Sequence, residues 1–326
     1  MPSLRKIVAR SVGEFDELKS LWHGILRHSP KTIFQSFEWN RLLAETFTDR
    51  LSPVVCAVQS DHGAAIIPAA INHPGNRLEL LGETLFDYRD VLQVGDPYAL
   101  QAAWQTMANL KLPLSVTAVQ PENAARDWQE FGLIEFARAP WVDANQVTAE
   151  QFRALHTRAA RQLRRMQRKG VSLHQYSGGH SDQIRRIYQL KCDQFSGDVN
   201  NVFRDERRRE FMVAVAAGEA ENCRVFTLED SAGCIVAGLV TFLDGAVRRF
   251  YTIYFDPEWA VYSPGVALVF EATALSLEQH LSCDYMTGEY PYKLRFANAS
   301  RMLYRVDASA AQLAVISQRP PQRKIA

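Results

Sequence analysis

The twelve residues from Asp284 to Arg295 hold two carboxylates (Asp284, Glu289), three tyrosines (Tyr285, Tyr290, Tyr292) and two cations (Lys293, Arg295). That mixture suits acyl transfer. The reaction needs a base for the proton of an incoming amine or hydroxyl and an acid for the leaving thiolate. It also needs positive charge for the developing oxyanion. Glu289 is the candidate base, Tyr290 or Tyr292 the candidate acid, and Lys293 or Arg295 the cation for phosphate or oxyanion. A surface loop closed by a Glu289–Lys293 ion pair is the bland alternative.

A second constellation lies just upstream. The apolar run Arg249–Phe255 reads as a buried strand, and Asp256-Pro257-Glu258 breaks it. Tyr262-Ser263-Pro264-Gly265-Val266-Ala267 then opens an apolar helix that runs to His280. Pro264 suits a first helical residue, because its fixed φ fits the first turn and its missing N–H has no partner there. Ser263 is the expected N-cap. Gly265 leaves the first N–H groups uncovered, which favours a phosphate or pyrophosphate. The competing reading is that Ser-Pro-Gly is only a good helix start.

These segments need a frame to hold them. The first half reads as strand Arg5–Val12, helices Glu14–Arg27 and Phe37–Phe47, and a hairpin of Val54–Val58 with Ala64–Ile71. Strands Arg77–Leu81 and Asp90–Val94, helix Pro97–Leu110, strand Leu114–Val119, helix Glu122–Phe131 and strand Phe136–Val142 follow. The second half reads as strand Val171–Tyr176, helices Asp182–Phe195 and Asp205–Ala217, a meander of Val225–Glu229, Ile235–Leu243 and Val247–Phe255, and helix Pro264–His280. Strands Asp284–Thr287 and Leu303–Val306 end it. Both halves run strand, two helices, antiparallel meander, helix, strand, which suggests a duplicated α/β (α+β) domain. The expected boundaries are residues 1–146, a connecting helix over 147–170, a second domain over 171–317, and a flexible tail over 318–326.

Composition excludes several classes. The net charge of +1 gives no global field for nucleic acid, and 47% apolar residues is ordinary for a globular chain. No segment reaches the ~20 apolar residues needed to span a bilayer, and no signal-peptide core follows Met1. The expected setting is cytoplasmic, without membrane insertion. Five cysteines without a CxxC and eight histidines without ligand spacing predict no metal site. The basic run Arg158, Arg161, Arg164, Arg165, Arg168, Lys169 places Arg161, Arg165, Arg168 and Lys169 near one helical face. It is either a grip on a polyanion or a solvated face.

The stretches Tyr254–Leu268 and Asp284–Phe296 resemble the cellulose-biosynthesis acetyltransferase-like family of the GCN5-related N-acetyltransferase (GNAT) superfamily. Phe34-Gln35-Ser36-Phe37-Glu38-Trp39, Leu80-Leu81-Gly82 and Asp87-Tyr88-Arg89-Asp90 add weaker matches. The resemblance implies two tandem GNAT-like domains, like those of the Fem peptidyltransferases that use aminoacyl-tRNA. Each would be a mixed, mostly antiparallel sheet flanked by helices. It implies an acyl-transferring enzyme with a donor on phosphopantetheine, as in acetyl-coenzyme A or another acyl-coenzyme A. Tyr262, Ser263, Gly265, Val266 and Ala267 would bind that donor. Tyr262-x-x-Gly265-x-Ala267 fits the small positions of the superfamily's pyrophosphate loop but has Tyr262 where Gln or Arg is preferred.

The resulting expectation is an acyltransferase with Glu289, Tyr292 and Lys293 as catalytic residues. Asp87, Tyr88 and Arg295 would bind substrate; a polar turn entering a strand is the other reading of Asp87–Asp90. The acceptor would be an amine or hydroxyl of a sugar or peptide precursor, in exopolysaccharide or cellulose biosynthesis. The donor partner would be a coenzyme, a carrier protein or a tRNA. A tRNA-dependent aminoacyl transferase and a non-catalytic scaffold are the rival readings.

Overall fold

The computed structural model describes residues 4–82, 85–120, 127–199 and 201–319. In chain order the first elements are β1 (Arg5–Ala9), α1 (Val12–Asp16), α2 (Lys19–His28), α3 (Phe37–Thr46), β2 (Leu51–Ser60), β3 (Gly63–Asn72), β4 (Arg77–Leu80) and β5 (Leu92–Gly95). Next come α4 (Tyr98–Ala108), β6 (Leu114–Val119), α5 (Asp127–Glu130), β7 (Ile134–Val142), α6 (Ala149–Leu155), α7 (Thr157–Gln167), β8 (Ser172–Ser177), α8 (Ser181–Gln194) and α9 (Glu206–Gly218). The chain ends with β9 (Cys223–Glu229), β10 (Ile235–Asp244), β11 (Val247–Phe255), α10 (Pro264–Glu278), β12 (Ser282–Asp284), α11 (Pro291–Phe296), β13 (Ala299–Ala308) and α12 (Ala310–Gln318).

Two compact units result, one of residues 1–137 with 302–326 and one of residues 138–301. Each is a mixed, mostly antiparallel sheet flanked by helices. In the first, β1, β2, β3 and β4 pair antiparallel in turn, β4 and β6 pair parallel, and β5 adds to β3. In the second, β8, β9, β10 and β11 form an antiparallel series, β12 joins β11 parallel, and β7 joins β12 antiparallel.

The units divide elsewhere than expected at 146, 170 and 317. Each sheet takes one strand from the far side of the chain: Tyr304–Ala308 of β13 pairs with β6, while Trp141 and Val142 of β7 pair with β12. The helix α12 then packs Leu313 into the first unit's core beside Trp104 and Trp128. It starts with a capping box of Ser309 and Gln312, a signal present in the sequence but not read there. The expected tail falls outside the described residues from 320 onward, as does most of the expected helix Glu122–Phe131, whose end is α5.

The connecting helix also differs. It is two helices, α6 and α7, broken at His156, whose backbone leaves helical geometry (φ −112°, ψ 41°). It is no free linker. Phe152, Ala159, Leu163 and Met166 are buried with α10 in the second unit's core. On α7 these apolar positions recur at helical spacing, so the helix must bury that face. The expected single helix Glu14–Arg27 likewise divides into α1 and α2, because Phe15, Leu18 and Trp22 all reach the core.

The second sheet opens where β11 and β12 part. The two strands pair only over Val247–Arg249 and Ser282–Asp284. After Asp284 the chain stays with β7: Tyr285 N–H donates to the Pro140 carbonyl and Gly288 N–H to that of Arg138. One edge of β11 from Phe250 onward therefore has no β12 partner. An extra residue, Tyr251, bulges β11 against β10 at the same level. The parting is pinned by the buried pair Arg249 Nη1–Asp284 Oδ2 at 2.6 Å, with Arg249 Nε on Asp244 Oδ2 at 2.7 Å. Asp284 Oδ1 accepts from Met286 N–H (2.8 Å), which turns the chain through a left-handed Met286 (φ 63°).

Asp284→Asn should therefore destabilise the second unit by about 3 kcal/mol, since it takes a buried, charged partner away from the Arg249 guanidinium. Urea unfolding followed by circular dichroism checks this; a loss below about 1 kcal/mol would show that the pair is dispensable.

Candidate functional site

A cleft of about 740 Å³ lies within the second unit, walled by the α6–α7 junction, the start of α10 and α11. The first turn of α10 faces it through Ser263, Val266 and Ala267. Ser263 is in the left-handed region (φ 51°, ψ 56°) and its hydroxyl caps nothing, contrary to its expected N-cap role. Its carbonyl accepts from Ala267 N–H, so Pro264, which has no N–H, leaves Gly265 and Val266 N–H groups at the head of a fifteen-residue helix. That end favours an anion.

Gly265 has a different role from the one expected. A Cβ there would lie 3.4 Å from Ile253 Cδ1 and from Phe255 Cδ1. A side chain there would point at β11, at ordinary contact distance, and not into the cleft. Val266, half-buried on the cleft wall, is the position where a side chain meets an occupant.

Tyr262 is not a cleft-lining residue. Its ring lies under two cations, Arg165 of α7 (5.5 Å) and Lys169 of the turn that follows it (5.7 Å), and beside Trp259. The positive charge that Tyr262 itself lacks is thus carried by the neighbouring helix.

The far wall comes from Tyr290, Pro291, Tyr292, Arg295 and Phe296. Tyr290 and Tyr292 stack with centroids 6.3 Å apart, the first exposed and the second half-buried. Burial, with the Tyr290 phenol beside it, pushes Tyr292 up to about 12. Tyr292 therefore holds its proton at neutral pH, as an acid should. The third tyrosine, Tyr285, is buried with its hydroxyl on Thr273 Oγ1 (2.9 Å) and belongs to the core.

Lys293 turns inward. It is 7% exposed, and its Nζ donates to the carbonyls of Thr287 (2.8 Å) and Met286 (3.3 Å) and lies over the Tyr290 ring. It ties down the loop that follows β12. Glu289 is exposed and lies outside the cleft wall. Tyr88 is 1% exposed, edge-on to Phe34 in the first unit, so it cannot meet a ligand. The neighbouring Asp90 is buried too, accepting from Lys31 Nζ (2.6 Å) and Trp128 Nε1 (2.9 Å). Asp87 is half-buried in the same run.

Two residues passed over in the sequence gain importance. His156, at the α6–α7 break, lines the cleft and is held between the rings of Phe152 (4.5 Å) and Phe296 (4.9 Å). Burial, aided by the Arg295 charge, lowers its pKa, so the imidazole is neutral and able to take a proton. The only signal in the sequence was a histidine one residue before a basic helix. Lys191, on α8, donates to the Ile253 carbonyl at 2.6 Å, past the bulge of β11, under the Phe203 ring. Burial, with Lys293 nearby, brings it down to about 8.

Residues 152–294 match the acetyltransferase (GNAT) domain family. The matched stretch holds the cleft-lining residues from Leu155 to Tyr292 and the parting of β11 and β12, while Arg295 and Phe296 lie just beyond it. No curated protein matches the sequence. Among solved structures the chain is similar to FemX (10% identity, 96% of this chain and 100% of that one covered, TM-score 0.59). It is also similar to L-PGS from Bacillus licheniformis (12%, 93% and 97%, 0.56) and to a tandem GNAT protein from the clavulanic acid biosynthesis pathway (12%, 94% and 98%, 0.52). At these identities the likeness is one of fold. Among the described residues no cluster can hold a metal ion and no helix is long and apolar enough to cross a membrane. The buried thiols of Cys223 and Cys283, pushed up to about 12, are poor nucleophiles.

The Lys191 environment has a measurable consequence. Between pH 8 and 10.5 the folded protein binds fewer protons at Lys191 than the unfolded chain, so its contribution to stability rises with pH across that window. Wild type should gain urea resistance relative to Lys191→Met between about pH 7.5 and pH 10. A constant difference over that range would show an ordinary, solvated lysine.

Proposed function

We propose that the second unit is an acyltransferase whose donor occupies the α10–α11 cleft, and that it passes the acyl group from a thioester to an amine or hydroxyl. The observation that carries this is the convergence, in one cleft of a GNAT-type domain, of the α10 N-terminus, a proton-holding Tyr292 and a neutral His156. The donor is acetyl-coenzyme A or another acyl-coenzyme A type group. Its phosphates face the Gly265 and Val266 N–H groups. Arg158 and Arg295 on the cleft wall, and Arg165 and Lys169 over Tyr262, supply the compensating charge. His156 takes the acceptor's proton as the new bond forms. Tyr292 gives its proton to the departing thiolate and is reprotonated from solvent. Glu289, the base expected from the sequence, is exposed and does not line the cleft, which favours His156 for that role.

The resemblance of Tyr254–Leu268 and Asp284–Phe296 to cellulose-biosynthesis acetyltransferase-like proteins supports an acceptor on a sugar or peptide precursor, with a role in polysaccharide synthesis. A second reading, an aminoacyl donor on tRNA, is favoured by Tyr262 standing where Gln or Arg is preferred. The cytoplasm is the compartment where either donor is supplied.

Turnover, read as free thiol from acetyl-coenzyme A with amino-sugar and peptide acceptors, tests the chemistry. Tyr292→Phe and His156→Gln should each lose about 10²–10⁴-fold, whereas Glu289→Gln should stay within about threefold of wild type. The reverse pattern would return the base to Glu289.

Donor binding has its own test. Val266→Asp sets a carboxylate in the first turn of α10, where it suits the helix but repels phosphate. Titration calorimetry should show coenzyme A affinity reduced about tenfold or more in a stably folded variant. Unchanged affinity would move the phosphates elsewhere.

A further inference from the structure

The thirty-one residues from Gln151 to Ser181 contain seven cations and no carboxylate, in a chain whose net charge is +1. Arg153 pairs with Glu271 and Glu278. Among the described residues, Arg158, Arg161, Arg164, Arg168 and Lys169 have no carboxylate partner. Other surface arginines do: Arg41, Arg185, Arg207, Arg305 and Arg319 each hold one. The α7 segment thus concentrates uncompensated cations on one stretch without a carboxylate, while those five arginines are each matched.

Its geometry is directional. With Ala159, Leu163 and Met166 buried, Arg158, Arg161, Arg165 and Lys169 fall within about 80° of helical arc on the solvent side. From Arg158 to Lys169 the stripe runs about 16 Å at the helical rise. It starts on the cleft wall at Arg158 and ends over Tyr262. Exposed aliphatic side chains occur at both its ends: Leu155 (72% exposed) on the cleft wall, and Val261 (71%), which precedes Tyr262 in the chain.

A free coenzyme would be held inside the cleft. A stripe that continues well beyond the cleft calls for a larger anionic body attached to the occupant. Exposed aliphatics beside cations suit a protein surface, where apolar contacts sit within a charged rim. Single-stranded nucleic acid would call instead for a row of stacking aromatic rings.

We propose that α7 docks an acidic carrier protein, which delivers the acyl group on a phosphopantetheine arm inserted into the cleft. This rests on the donor reading of that cleft. In the transfer, the acyl carbon leaves the arm's sulfur for the acceptor's nitrogen or oxygen. The acceptor's proton balances the thiolate, and the carrier departs as the free thiol.

The test uses the full chain with holo-acyl carrier protein for binding, its acetylated form and acetyl-coenzyme A for turnover, and a tRNA, as separate probes. The variant is Arg161→Glu/Arg164→Glu/Arg168→Glu, three positions outside the cleft wall, with the corresponding glutamines as a milder set. Titration should show holo-carrier affinity that falls with added salt and drops about tenfold or more in the glutamate variant. The glutamine set should lose less, in the same direction. Turnover with acetyl-coenzyme A should stay within about twofold of wild type, because the cleft is intact. Carrier affinity unchanged by charge reversal, or no carrier binding by wild type, would overturn the docking proposal. So would tRNA binding that takes over the same dependence. Failure of wild type to turn over either thioester would instead sink the donor reading, which the binding measurement does not presuppose.

Discussion

The buried contact between Arg249 and Asp284 is the constraint on which the second unit depends. These residues are the last registered pair between β11 and β12. One carboxylate oxygen holds the guanidinium and the other holds the Met286 N–H, so the chain is both anchored and turned at one residue. Without that turn β12 would continue along β11 and close the sheet. With it, β11 keeps an open edge, and the loop is free to carry α11 to the cleft. Lys293 completes the arrangement by holding the carbonyls of Met286 and Thr287. A group chosen by residue type for catalysis is spent on keeping the loop in place.

The same economy of roles appears on α10. Its sequence start, Ser-Pro-Gly, has the composition of an anion site, yet each residue works through the backbone. Ser263 supplies a left-handed turn, Pro264 a fixed φ, and Gly265 a face turned toward Ile253 and Phe255 of β11. Side-chain charge comes from elsewhere: Arg158 and Arg165 on the packed helix α7, Lys169 in the turn after it, and Arg295 on α11. Because α7 buries Leu163 and Met166 against α10, the cations are held at the helix head by hydrophobic packing and not by ion pairs.

Burial also sorts the ionisable groups into roles. Tyr292 and His156 sit on one cleft wall and the facing helix junction, both desolvated, and desolvation moves them oppositely with respect to charge: each is kept neutral. A neutral phenol and a neutral imidazole are a donor and an acceptor of protons. Glu289, three residues from Tyr292 in the chain, is in solvent and keeps its charge out of the cleft.

Alternation and helical spacing in the sequence were sufficient for the strand meander over 223–255 and for α10, since each residue's neighbours there are local. The strand Val247–Phe255 and the Pro264 start stand where periodicity and proline chemistry place them. Long-range pairing was not legible. Nothing local says that Tyr304–Ala308 pairs with β6 or Trp141–Val142 with β12, because a strand's pattern records which faces are buried and not whose edge it joins. For the same reason the residues of Asp284–Arg295 were identifiable as reactive types while their roles were not. Whether a lysine faces a ligand or a carbonyl, and whether a tyrosine lines a cleft or fills a core, depends on where α6, α7 and α10 pack. Only the tertiary structure put His156 and Tyr292 on one cleft, and burial there keeps both in their neutral forms.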